Sequence, residues 1–249
     1  MDGLHTLAEE ACLNAWPALQ EIHYDGWLIR LGEGATRRTN SVNVIGPGIR
    51  ALEEKIAHCE AIYAARRKPS YFRIRSNAPG HLEAALDARG YRAEADTLTI
   101  FMDFDHTPPP QAISARVELL RQPSGEWLDA HTSLGGLAAE EGVVLNKMAK
   151  KIAVPAAFGA VRGPSGAIAS LAYSAVHDGL ATLNWVVTGP EYRRQGLSRA
   201  VLSGLLRWSH SQGAKGCCLQ VLSDNHSAIA LYRSFGFATE LYRYHYRVR

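Results

Sequence analysis

The chain reads as an α/β protein built from two units, and three observations lead there. Segments with strand-like and helix-like hydrophobic periods alternate along its 249 residues. Two stretches end alike: Leu82 to Tyr91 (LEAALDARGY) and Ala228 to Phe237 (AIALYRSFGF) are each a short helix closed by Gly-aromatic, with a hydrophobic strand after it. Between them, Asp105-His106-Thr107-Pro108-Pro109-Pro110 has little helix or strand potential, and its prolines stiffen it. The expected organisation is a first unit over 1–105, a linker over 106–113 and a second unit over 114–249. The echo between the two endings points to tandem duplication.

The elements follow in order. Helical period runs from Leu4 to Trp16 and stops before Pro17. Short strand-like runs cover Gly26 to Leu31 and Ser41 to Ile45, the second broken by Pro47-Gly48. Ile49 to Arg66 carries an apolar stripe of Leu52, Ile56, Cys59, Ile62 and Tyr63 and predicts a helix. Tyr71 to Ile74 reads as a strand, His81 to Ala88 as a helix ending at Gly90, and Thr97 to Phe104 as a strand. The second half opens with a strand at Arg116 to Leu120, then helices at Ser124 to Thr132 and Leu145 to Ile152. Strands follow at Ala156 to Arg162, Ala167 to Val176 and Leu180 to Thr188, joined by the turns Gly163-Pro164-Ser165-Gly166 and His177-Asp178-Gly179. A helix at Ser198 to Gln212, a strand at Cys217 to Leu222, a helix at Ser227 to Phe235 and a strand at Leu241 to Val248 complete the pattern.

Composition excludes several classes. With 47% hydrophobic and 20% charged residues the chain buries a full core. Lys plus Arg count 27 against 24 Asp plus Glu, too balanced for the basic face of a nucleic-acid binder. No apolar run approaches the ~20 residues of a membrane span, and Met1-Asp2-Gly3-Leu4-His5 shows no secretory signal. Cys12, Cys59, Cys217 and Cys218 form no CxxC pair and read as small buried residues of a reducing cytosol. The ten histidines show no HExxH or other compact metal spacing, so no metal is expected. The expected location is cytoplasmic.

The chemistry concentrates in Val186-Val187-Thr188-Gly189-Pro190-Glu191-Tyr192-Arg193-Arg194-Gln195-Gly196-Leu197-Ser198-Arg199. A strand ends, a turn follows, and a helix begins near Ser198. Gly196 lets backbone come close to a ligand, and the free amides at the helix start favour an anion. Arg193, Arg194 and Arg199 add positive charge. There is no GxxxxGK[ST] and no GxGxxG after a strand, so the loop suits a diphosphate held mainly by backbone amides.

Arg193-x-x-Gly196-x-Ser198 resembles the Gln/Arg-x-x-Gly-x-Gly/Ala signature of the GCN5-related N-acetyltransferase family, with Ser198 where Gly or Ala is usual. Asn225-x-x-Ala228-x-x-x-Tyr232-x-x-x-Gly236-Phe237 is similar to the family's second motif, in the correct order after one helix and one strand. The resemblance covers about Arg116 to Arg249. It implies two units of the acetyltransferase type, each a mixed, mainly antiparallel sheet flanked by helices. At the phosphate position the first half offers only Gly46-Pro47-Gly48-Ile49-Arg50, and Leu86 stands where Tyr232 stands in the second. The first half is therefore expected to be a degenerate copy that binds no cofactor.

What the resemblance implies for function is acetyl transfer from acetyl-CoA to a primary amine of a small molecule or peptide, by direct attack. The strand at Leu183 to Val187 should splay from that at Cys217 to Leu222. The pantetheine arm would pair with the backbone of Trp185, Val186 and Val187, and one amide of Val186 or Val187 would polarise the thioester carbonyl. Arg193, Arg194, Gln195, Gly196, Leu197 and Ser198 would cradle the pyrophosphate. Asn225 would bond the pantetheine arm or cap the helix after it. Tyr232 is the candidate general acid for the leaving thiolate. Glu140 and Glu141 are candidates for the general base, with His177, Asp178, His226 or a water chain as alternatives. Arg30, Arg37, Arg38, Asn40 and Ser41 either line a cleft between the halves for an acidic or hydroxylated acceptor or form a strand surface. The expected assembly is a monomer or homodimer. The alternative is an acyl-CoA-binding module without catalysis.

Overall fold

The computed structural model describes residues 2–77, 80–111 and 116–249. In chain order its elements are α1 (Asp2–Ala15), β1 (Gln20–Tyr24), β2 (Trp27–Leu31), β3 (Val42–Val44), α2 (Leu52–Ala64), β4 (Tyr71–Arg75), α3 (His81–Ala88), β5 (Arg92–Asp103), β6 (Glu118–Leu120), α4 (Gly125–Leu134), α5 (Ala139–Ala149), β7 (Ala156–Arg162), β8 (Ile168–His177), β9 (Leu180–Thr188), α6 (Leu197–Ser211), β10 (Gly216–Leu222), α7 (His226–Arg233) and β11 (Thr239–Val248). Two Asp-Gly pairs make the tight hairpins. Asp25 and Gly26 have φ of 46° and 79°, and Asp178 and Gly179 of 44° and 76°; both residues of each turn are left-handed, which matches the twist of the strands they join. The first pair closes β1 on β2, a strand the hydrophobic pattern does not announce. Helix α5 starts earlier than the Leu145 to Ile152 expected, because the Glu141 carboxylate accepts from the Ala138 amide (3.3 Å) and stabilises the first turn.

The described chain divides into two compact units, and their boundaries correct the sequence division. The larger unit holds Met1–Pro17, Ile100–Val221 and Asn225–Leu241; the smaller holds Ala18–Thr99, Leu222–Asp224 and Tyr242–Arg249. The N-terminal helix thus belongs with the second half of the sequence, and the last residues with the first. Residues 106–111 contain no helix or strand, while 112–113 of the expected linker lie outside the described residues.

In the smaller unit the strands run β1-β2-β3-β4-β11, all antiparallel except β3 with β4. Trp27, Ile29, Phe72 and Ile74 on one sheet face pack against Ile56, Cys59 and Tyr63 of α2 and Leu82 and Leu86 of α3. In the larger unit the order is β10-β9-β8-β7-β6, parallel only between β10 and β9. Each unit is thus a mixed, mainly antiparallel sheet flanked by helices. Helix α6 packs on β7, β8 and β9, joined through Ser174 Oγ to Ser209 Oγ (2.8 Å). The alternate side chains of β8, Leu171, Tyr173 and Ala175, point to the other face. There α1 and α4 lie, and the Tyr173 hydroxyl donates to the Ala15 carbonyl (2.7 Å). The end of β5 also belongs here: the Phe104 amide donates to the Lys215 carbonyl, and a Cβ on Gly216 would collide with the Phe101 ring.

An aromatic cluster fills the α1–α4 face. The His131 ring lies parallel to Trp127 (5.9 Å, 2°) and against Trp185 (4.6 Å, 31°). Burial pushes its imidazole down to about 4.

Two expected outcomes follow. Residues 114–249 expressed alone lack α1 and the end of β5, so circular dichroism should show no cooperative melt; a sharp melt would mean that those segments are dispensable. For His131, the unfolded chain takes up a proton from about pH 6.5 downwards while the folded protein resists it to about pH 4. Stability is therefore present above that window and lost as pH falls through it, by roughly 2 kcal/mol at pH 5. Urea titrations at pH 7 and pH 5 should show this loss shrinking in His131→Phe; an equal loss in both proteins would place the proton uptake elsewhere.

Candidate functional site

The parallel ladder between β9 and β10 stops early. It pairs Leu180 with Gly216, Ala181 with Cys217, Thr182 with Cys218 and Leu183 with Leu219, although β9 continues to Thr188 and β10 to Leu222. Just past the last pair β9 carries a bulge. On its other edge Asn184 faces Tyr173 and Val187 faces Leu171, so Trp185 and Val186 together oppose Ala172. Trp185 has φ 51°, in the left-handed region that a bulky side chain avoids at a cost of about 1–3 kcal/mol. A bulge bends its strand and takes an amide out of the ladder. The splay expected between the two strands is present, and Trp185, Val186 and Val187 lie along it.

Beyond Thr188 the chain makes a 3-10 turn at Pro190–Tyr192 and then bends twice into the left-handed region, at Arg194 (φ 63°) and Gly196 (φ 78°). Gly196 is the residue before α6; no side chain caps this helix, and its first turn holds no acidic residue. The amides of the first turn, from Leu197 on, therefore face outward without an internal acceptor, in a field that favours an anion. A cavity of about 230 Å³ opens here, lined by Thr188, Tyr192, Arg193, Arg194, Gly196, Leu197, Ser198, Arg199 and Leu231. Gln195 is exposed, and its amide bonds the Glu191 carbonyl (3.0 Å). Arg199 donates to Ser234 Oγ (2.5 Å) and lies over the Phe235 ring (4.7 Å). Ser198 is explained by its contacts: its hydroxyl meets Thr188 Oγ1 (2.6 Å), which meets Ser170 Oγ (2.7 Å). This relay ties the end of β9 to the start of α6.

In the smaller unit the loop between β3 and α2 is arranged differently. Asp25 puts its carboxylate on the amides of Ile49 (2.9 Å) and Arg50 (3.0 Å) and pairs with Lys55 (3.2 Å). These amide bonds, above all that from Ile49, hold its pKa below the ordinary value. Two amides of the loop before Ala51, the N-cap of α2, are thus occupied by the chain's own carboxylate.

Other expected site residues fall less centrally. Asn225 is a helix cap: its Oδ1 accepts from the Ala228 amide and the Ser227 hydroxyl (3.2 Å each). Tyr232 is buried on α7 with its ring edge-on to Phe237 (6.1 Å) and does not line the cavity. Glu140 is exposed at the start of α5, and Glu141 is engaged with Ala138. His177 contacts Asn14 (3.3 Å) and Glu10 (3.7 Å), Asp178 forms the hairpin turn, and His226 is exposed. Arg30 bonds Glu21 (3.1 Å) and the Arg38 carbonyl, Arg37 pairs with Glu94 (2.6 Å), and Asn40 braces residues 32–36; Ser41 is fully buried. Arg30, Asn40 and Ser41 are buried in the smaller unit, which corrects the strand-surface reading for them, while Arg37 and Arg38 are partly exposed. Cys217 and Cys218 are buried, and burial raises the Cys217 thiol, as contact with Cys12 and burial raise that of Cys218. Among the described residues no group of His, Cys, Asp and Glu is arranged to hold a metal, and no helix is long and apolar enough to cross a membrane.

Sequence reasoning missed α1 as a part of this region. Trp16 Nε1 donates to Asn184 Oδ1 (2.8 Å), and Cys12 Sγ lies 3.9 Å from Cys218 Sγ. The sequence distance between these residues leaves no local signal.

The chain matches, over residues 6–247, a family described as "Probable histone acetyltransferase Rv0428c C-terminal". It is 25% identical over its whole length to the whole of an uncharacterized N-acetyltransferase, YobR, of Bacillus subtilis (strain 168). A third of it (33%) is 38% identical to 55% of the [ribosomal protein bS18]-alanine N-acetyltransferase of Escherichia coli K12. Among solved structures, a GCN5-related N-acetyltransferase from Kribbella flavida superposes with TM-score 0.69 at 16% identity, covering 99% of this chain and 94% of that one. A tandem GNAT protein from the clavulanic acid pathway superposes with TM-score 0.66 at 17% identity, covering 84% and 74%. The opened strand pair, the glycine-turned helix start and these likenesses agree: the chain belongs to the Rv0428c C-terminal family and is a GCN5-related N-acetyltransferase family member.

Proposed function

We propose that the larger unit binds acetyl-CoA and transfers its acetyl group to a primary amine of a small molecule or peptide by direct attack. The observation that carries this is the bulged end of the β9–β10 ladder leading straight into an uncapped helix start. In this reading the free edge of Trp185, Val186 and Val187 pairs with the pantetheine arm. An amide of Val186 or Val187 donates to the thioester carbonyl as its charge grows. The amides from Gly196 to Ser198 hold the pyrophosphate, with Arg193 and Arg194 adding charge from solvent. Tyr232 gives its phenolic proton to the thiolate that leaves. The buried thiols of Cys217 and Cys218 suit a mechanism without an acyl-enzyme. The matching family is described as a probable histone acetyltransferase and one similar protein as a bS18-alanine N-acetyltransferase, which puts peptide amines among the acceptors to try. Dependence on acetyl-CoA fits a cytoplasmic site of action. The smaller unit is a degenerate copy from tandem duplication, silenced by Asp25. The second reading, an acyl-CoA-binding module, keeps the same loop without turnover.

Three measurements test this. Acetyl-CoA at a hundred times its dissociation constant should stabilise the protein by about 2.7 kcal/mol, with thiol release on adding an amine from a panel of alkylamines and short peptides. Stabilisation without release on any amine would support the binding module, and absence of stabilisation would remove both readings. Calorimetric titration should find one acetyl-CoA per chain; two would mean that Asp25 does not close the smaller unit. Tyr232→Phe should lower turnover by about 10²-fold or more and spare CoA binding, whereas an unchanged rate would remove the phenol as the acid.

A further inference from the structure

The proposed reaction needs a proton acceptor, because a substrate amine arrives as an ammonium ion. None of Glu140, Glu141, His177, Asp178 and His226 is buried beside the strand opening, and His131, which is buried against Trp185, is enclosed by the rings of Trp127 and Trp185. Helix α1 supplies a carboxylate that is buried. Ala8, Ala11 and Ala15 on its sheet-facing side are buried, and so is Glu9, only 5% exposed. A carboxylate this buried is uncommon in a helix that also has a solvent face.

Two contacts fix where α1 lies. Cys12 reaches Cys218 of β10, and Trp16 reaches Asn184 of β9. Cys218 pairs with Thr182, one step before the ladder ends, and Asn184 is the first residue of β9 beyond it. The helix therefore crosses the point where the two strands part, on the face opposite α6. Glu9 is one turn from Cys12 on the same side of the helix, which brings its carboxylate alongside β10 at that point. Its negative charge is one of the causes that raise the Cys218 thiol. Other titratable groups near this stretch include Cys12, Cys217 and Cys218, His5 one turn before Glu9 on α1, His131 against Trp185, and Glu10 and His177 on the outer flank.

We propose that Glu9 is the catalytic residue that takes the proton of the substrate ammonium, directly or through one water. The proposal rests on the acetyl-transfer reading above. The ammonium gives one proton to the Glu9 carboxylate, and the neutral nitrogen forms the C–N bond to the thioester carbon. The C–S bond breaks with its electron pair on sulfur, which takes the Tyr232 proton. The second proton lost by nitrogen restores Tyr232 through solvent, and Glu9 returns its proton to water. The sum is ammonium plus acetyl-CoA giving amide, CoA thiol and one proton.

The test is the pH dependence of kcat/KM from pH 6 to 10, with a panel amine that the unaltered protein acetylates. Glu9→Gln should lose about 10²–10⁴-fold near pH 7. The loss should shrink as pH rises, because neutral amine then comes from solution. Acetyl-CoA binding should be unchanged, and Glu10→Gln should behave as the unaltered protein. Glu9→Asp, which keeps the charge but retracts it, should lose less with the same trend; it carries the test if Glu9→Gln does not fold. A loss equal at every pH, or no loss, would overturn the role of Glu9 while leaving acetyl transfer intact. Failure of the unaltered protein to acetylate any amine would instead overturn the underlying reading.

Discussion

One extra residue in β9 sets the geometry of the larger unit. Strand side chains alternate between faces, so an inserted residue resets everything after it. Asn184 and Val187 both face the α1–α4 side because Trp185 and Val186 share one position opposite Ala172. The reset then delivers Thr188 to the α6 side, where its hydroxyl meets Ser198. The same insertion coincides with the end of the β9–β10 ladder. A regular strand would keep pairing with β10 and would present Thr188 to the wrong face for α6. The left-handed strain at Trp185 is offset by its ring, which packs between Trp16, Trp127, His131 and Tyr173.

The two units differ in the loop that leads from a strand into a helix. In each, a strand leads through glycines into a helix whose first amides need acceptors. In the larger unit Gly196 turns the chain, no acidic residue follows, and the amides open on a cavity lined by Arg193 and Arg194. In the smaller unit Asp25 sits in the neighbouring hairpin turn and its two oxygens take the amides of Ile49 and Arg50. Glycine matters there for space, since a Cβ on Gly48 would collide with that carboxylate. That carboxylate ties the loop before α2 to the hairpin at Asp25.

The sequence made legible what is local. Strand-turn-helix order, the Gly196 turn and the Asp178-Gly179 hairpin are all written in neighbouring residues and appear where expected. Strand β1 was hidden because Gln20–Tyr24 lacks a strong hydrophobic face, although Asp25-Gly26 marks its turn. The unit boundaries were not legible, because the triple proline marks a break along the chain and not in space. Tyr244 to Val248 pairs with β4 through backbone bonds that any extended segment can make. Asn225, in the second motif, and Glu141, a candidate base, both have side chains that answer to nearer partners, amides at their own helix starts.

The placement of α1 gives the hydrophobic pattern at the N-terminus a second meaning. An amphipathic helix with a stripe of alanines buries little apolar area by itself, and it lies close to its sheet because the stripe is thin. That closeness lets Cys12 reach Cys218 and Trp16 reach Asn184 on two strands that are parting. A helix with leucines in those positions would stand further off. The alanines therefore decide how near to the open strands Glu9, a buried polar side chain of that helix, is held. Residue size on α1 and residue count in β9 together set what surrounds the place where the strands separate.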